Sequence, residues 1–102
     1  MFERTITVKL SEGLHVRPMS LIAAAAGRYR CDVFLCRDEL AVNAKSMMEM
    51  MALAAEQGTV LVIRADGPQE TEAVDSVVRL FESGFAGDAT QPDQTATESG
   101  ST

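Results

Sequence analysis

The chain has 102 residues, a formal net charge of −6 and a hydrophobic fraction of 46%, which fits one globular domain with a modest core. The acidic balance opposes non-specific nucleic-acid binding, which relies on Lys and Arg meeting phosphates. No apolar run approaches the roughly 20 residues of a membrane span.

The N-terminal Met-Phe-Glu-Arg-Thr carries no leader signal. Cys31 and Cys36 form no Cys-x-x-Cys pair, and one histidine cannot complete a usual zinc site with them. The expectation is a cytoplasmic protein with two reduced thiols, no metal and no cofactor. On one strand, a spacing of five would point the two thiols to opposite faces.

Phe2 to Leu10 alternates, with Phe2, Ile6, Val8 and Leu10 on one parity and Glu3, Thr5, Thr7 and Lys9 on the other. That pattern predicts a half-buried strand. Ser11-Glu12-Gly13 breaks it. Val16 to about Gly27 predicts the first helix, since Leu21, Ile22, Ala25 and Ala26 recur at helical spacing and alanine has the best helix propensity. Asp32 to Arg37 and Leu40 to Ala44 flank Asp38-Glu39 and predict a hairpin. Val33 and Leu35 are assigned to the core, Phe34 and Cys36 to the other side of the sheet.

Ser46-Met47-Met48-Glu49 fits a capping box, in which Ser and Glu satisfy one another's backbone N–H groups. The helix it opens is expected to end near Ala54 or Ala55, with Met50 and Leu53 inward and Met47 and Met48 at least partly exposed. Thr59 to Asp66 is continuously apolar at Val60 to Ile63 and predicts an interior strand. Asp66-Gly67-Pro68 reads as a turn. Glu70 to Ser83 predicts the last helix, with Val74, Val77, Val78 and Phe81 as its apolar stripe and Phe85 continuing the contact. From Gly87 onward the composition turns to Gly, Ser, Thr, Gln, Asp and Pro. The expectation is a domain over 1–86 and a disordered acidic tail over 87–102.

The order strand, helix, strand, strand, helix, strand, helix implies an α+β open-faced two-layer sandwich, with three helices on one face of a four-stranded antiparallel sheet. The pattern equally allows other two-layer folds, such as a ferredoxin-like one.

One stretch concentrates the chemistry: Glu12-Gly13-Leu14-His15-Val16-Arg17-Pro18-Met19 holds the only histidine. A neutral imidazole is a competent nucleophile near neutral pH. Pro18 suits the first turn of a helix, where a missing N–H costs nothing. A phosphoryl group on His15 would face the positive end of the helix dipole, and Arg17 could donate a charge-assisted hydrogen bond to it. The plain alternatives are a histidine that caps a helix and a surface arginine. No Walker-type or dinucleotide glycine loop occurs, and no catalytic triad can be assembled.

Gly-Leu-His-Val-Arg-Pro resembles the Gly-Leu-His-Ala-Arg-Pro signature of the histidine-containing phosphocarrier (HPr) family of the bacterial phosphotransferase system. The likeness extends over about residues 2 to 86. Val42-Asn43-Ala44-Lys45-Ser46-Met47-Met48 resembles the family region that carries a regulatory serine. The resemblance implies sheet order 1-4-2-3 and a cytoplasmic monomer that is not an autonomous enzyme. It makes His15 the residue that takes phosphate from phosphoenolpyruvate-charged enzyme I, on Nδ1, and passes it to an enzyme IIA or another acceptor. It makes Arg17 a stabiliser of that phosphate and Ser46 a target of an HPr kinase/phosphorylase. It also places Met47, Met48 and Met51 on the partner-docking surface, while the departures Val16 and Met19 bear on partner choice. A regulatory docking module, switched at Ser46 or His15 without onward transfer, and an unrelated α+β small-molecule binder are the competing expectations.

Overall fold

The computed structural model describes residues 1–85. The tail over 87–102, and residue 86 of the expected domain, lie outside the described residues. The elements run β1 (Phe2–Thr7), α1 (Val16–Gly27), β2 (Asp32–Arg37), β3 (Leu40–Asn43), α2 (Met47–Met51), β4 (Val60–Asp66) and α3 (Glu70–Glu82). The sheet order is β1-β4-β2-β3, antiparallel at every pairing. The fold is the open-faced α+β sandwich.

Alternation along the strands explains the layering. Val33 and Leu35 of β2 and Leu61, Ile63 and Ala65 of β4 are buried on the face that the helices cover. Ile22 and Ala26 of α1, Met50 of α2, and Val74, Val77 and Val78 of α3 complete the same core. Phe81 meets Phe85 edge to face at 5.1 Å, so the contact does continue past the helix.

Several boundaries and contacts differ from expectation. Helix α2 stops at Met51 rather than at Ala54 or Ala55. Ala54 adopts a left-handed backbone with φ of 48°, which ends helical geometry there. The capping box is only half formed. The Ser46 hydroxyl accepts from the Glu49 N–H at 3.2 Å, but Glu49 Oε1 accepts from Asn43 N–H at 3.0 Å, while Ser46 N–H donates to the Asn43 carbonyl at 3.1 Å. The backbone turn at Asn43 supplies the acceptor that Glu49 had been expected to provide.

Cys31 precedes β2 rather than lying on it, so strand alternation does not relate it to Cys36. Cys36 lies on the outer face yet is buried, seated between Ala41 of β3 and Val62 of β4. Both are free, and burial pushes both thiols up.

Candidate functional site

The loop that leads into α1 is held by short contacts to the segment that follows α2. Gly13 N–H donates to the Leu10 carbonyl at 2.9 Å, and Leu14 N–H to the Ala55 carbonyl at 2.8 Å. Gly13 has φ of +72°, and a Cβ there would stand 2.7 Å from the Ala55 oxygen and 2.9 Å from Glu56 Cα. Only glycine fits so close a backbone crossing. Leu14 buries its side chain beneath the loop.

His15, next in the chain, is thereby aimed outward. It is the N-cap of α1, with extended backbone and no side-chain cap hydrogen bond, and its side chain is 43% exposed. The ring is therefore spared the usual capping duty. Its carbonyl accepts the first intrahelical bond, from Met19 N–H at 3.0 Å. Pro18 occupies the first turn, which contains no acidic residue. The Glu12 carboxylate stands 3.7 Å from His15 Nε2, too long for a hydrogen bond but within ion-pair range if the ring is protonated.

Arg17 is exposed in the same first turn, so His15 and Arg17 stand together at one end of α1. Ser46 is half-buried at the N-terminus of α2, which packs against α1. Its Oγ lone pair is used in the cap, and the oxygen keeps its own proton and a partly open side. Lys45, beside it, donates from Nζ to the Tyr29 carbonyl at 2.8 Å and ties the α2 entrance to the end of α1.

The methionines divide sharply. Met50 is buried, whereas Met48 is 82% and Met51 59% exposed, and Met47 is half-buried against the core. An apolar side chain exposed to that degree on a five-residue helix contributes little to the fold. Val16, 60% exposed, adds an apolar surface beside His15. Met19 is different: it is buried in the core, on the inward stripe of α1 that Ile22 and Ala26 continue at helical spacing. The expectation that Met19 bears on partner choice is therefore corrected to a packing role.

Sequence reasoning did not find Arg37. Its Nη1 donates to the carbonyls of Leu53 at 2.8 Å and Ala54 at 2.9 Å, across the fold from β2. Among the described residues there is no cluster of His, Cys, Asp and Glu able to hold a metal. No helix of the described residues is long and apolar enough to cross a membrane.

A family model described as PTS HPr component phosphorylation site matches residues 2–83. The chain is 41% identical over 85 residues to the Phosphocarrier protein HPr of Treponema pallidum (strain Nichols), covering 83% of this chain and 97% of that protein. It is 40% identical over 77 residues to the HPr-like protein Crh of Bacillus subtilis (strain 168), covering 76% of this chain and 91% of that protein. The crystal structure of HPr-C-His from Thermoanaerobacter tengcongensis is similar with a TM-score of 0.81 at 40% identity, over 84% of this chain and 97% of that one.

Proposed function

Because the chain belongs to the HPr phosphocarrier family, we propose that His15 accepts a phosphoryl group from phosphoenolpyruvate-charged enzyme I and passes it to an acceptor of the enzyme IIA type. The observation that carries this reading is the His15 ring itself, exposed at the helix N-cap and free of side-chain capping. In the forward step the imidazole lone pair, on Nδ1, attacks phosphorus. The bond from phosphorus to the donor nitrogen of enzyme I breaks as the new P–N bond forms. The reverse geometry serves donation, so the chain ends each cycle unchanged and needs no cofactor.

The phosphoryl oxygens carry the charge that must be stabilised. The α1 dipole and Arg17 supply the field and a charge-assisted donor, each a modest effect at an exposed site. Modest is what a carrier needs, since tight holding would slow release. Met48 and Met51, with the edge of Met47, form an adaptable apolar surface for successive partners. Ser46 is the regulatory site in this reading. A phosphate there adds roughly two negative charges at a helix N-terminus, which tolerates them, beside the methionine surface, which does not. The domain works in the cytoplasm over residues 1–86, with 87–102 as an appended acidic tail.

The test is onward transfer. With labelled phosphoenolpyruvate, enzyme I and an enzyme IIA acceptor, the chain should carry label to the acceptor, and His15→Ala should abolish it with the fold retained. Acceptor labelling by the His15→Ala chain would sink the assignment. Label that stops on the chain would point to a docking module instead.

A further inference from the structure

The turn after α2 is the least comfortable backbone near the site, and one side chain holds it. Ala54 lies in the left-handed region at φ of 48°, where a residue with a Cβ is disfavoured. The carbonyls of Leu53 and Ala54 sit just past the helix end, where acceptors lack helical partners. Arg37 reaches both with a single nitrogen, at 2.8 and 2.9 Å. Its parity with Val33 and Leu35 explains the reach, because it leaves the end of β2 on the helix-covered side of the sheet. A cation at a helix C-terminus is also favoured by the dipole.

The next carbonyl along the chain, Ala55, is the one that receives Leu14 N–H at 2.8 Å and nearly touches Gly13. Leu14 is covalently joined to His15. A continuous path therefore runs from the Arg37 guanidinium through the Ala54 turn and the Ala55 carbonyl to the backbone that carries the imidazole. From this geometry we infer that Arg37 is a positioning residue for His15: it fixes the Ala54 turn so that Ala55 can hold the histidine loop in place.

The functional half of this inference rests on the phosphocarrier reading, and the structural half stands without it. The test uses the full chain with Arg37→Met, which keeps an apolar stem and removes the donors, and Arg37→Lys, which restores one donor. Amide hydrogen exchange at Leu14 should quicken about tenfold in Arg37→Met, the size expected for losing hydrogen bonds from a charged donor, relative to amides in the centre of β4. Equal acceleration in β4 would mean general destabilisation and would overturn the inference.

In single-turnover uptake from charged enzyme I, Arg37→Met should lower the maximal rate about tenfold with half-saturation little changed, since the exposed methionines are untouched. Arg37→Lys should recover part of the loss. Unchanged Leu14 exchange, or unaltered uptake despite faster exchange, contradicts the positioning role. Absence of uptake by the unmodified chain instead defeats the phosphocarrier reading and the functional half with it. The exchange comparison then judges the clamp alone.

Discussion

Gly13→Ala puts the clasp at the histidine loop to a quantitative test. At φ of +72° an alanine enters the left-handed region at a cost of roughly 1–2 kcal/mol. Its Cβ would also meet the Ala55 oxygen at 2.7 Å and Glu56 Cα at 2.9 Å, and both are backbone atoms that cannot swing aside. Overpacking of this kind typically costs a further 1–3 kcal/mol. The sum, about 2–5 kcal/mol, is a large share of the 5–15 kcal/mol that holds an ordinary domain together. Each kcal/mol lowers Tm by roughly 4–8 °C in a domain of this size, so a fall of about 10 °C or more is expected in thermal unfolding followed by circular dichroism. Gly27→Ala is the control. A Cβ there meets nothing within 4 Å, and the residue ends α1, so that change should be neutral or stabilise by up to about 1 kcal/mol. A Gly13→Ala chain within about 0.5 kcal/mol of its parent would refute the close crossing on which the placement of His15 depends.

Ser46→Ala removes the acceptor for Glu49 N–H and should cost about 1 kcal/mol in chemical denaturation, whereas Ser46→Asp should keep the cap and weaken enzyme I docking in a binding titration. Met48→Ala should raise the half-saturation concentration for enzyme I several-fold while leaving Tm unchanged, because the side chain is 82% exposed; a lower Tm would mark it as a packing residue. The Met1 ammonium at 2.9 Å, chiefly, and then the Gly67 N–H hold the Glu70 carboxyl below its ordinary range. A depressed carboxylate contributes stability above its unfolded pKa and loses it as pH falls through the folded one. Stability measured from neutral pH down into the acid range should therefore fall less steeply for Glu70→Gln than for the parent, and equal slopes would contradict the pairing.

Much of the fold was legible because the residues agree with one another at several levels. The alanine-rich stretch with Leu21 and Ile22 marks α1 at both ends, and the apolar run Val60–Ile63 marks a central strand. What stayed hidden depended on contacts distant in sequence or on backbone choices that residue type does not announce. Alanine is a strong helix former, so nothing at Ala54 signals a left-handed turn that ends α2 early. Glu49 satisfies the capping-box pattern, yet Asn43, from the strand before, takes its carboxylate. Arg37 looks like an ordinary residue before a turn, since its two carbonyl partners come from beyond α2.

The candidate site divides in the same way. His15 and Arg17 were found from a local string whose chemistry is complete within one loop and one helical turn. The supports of that loop are not local. Gly13 could be noted as conformationally free, but its need to pass the Ala55 carbonyl emerges only when the segment after α2 is folded against it. Met19 shows the reverse error: read with its sequence neighbours it belongs to the surface, and the turn of the helix carries it into the core.

The central claim is that His15 carries a phosphoryl group, and intact-mass spectrometry tests it most directly. The chain is incubated with phosphoenolpyruvate and a cognate enzyme I, then measured before and after brief acid treatment. The account predicts one added phosphoryl mass that acid removes and that His15→Ala never acquires. An acid-stable adduct, or an adduct that persists in His15→Ala, would contradict it.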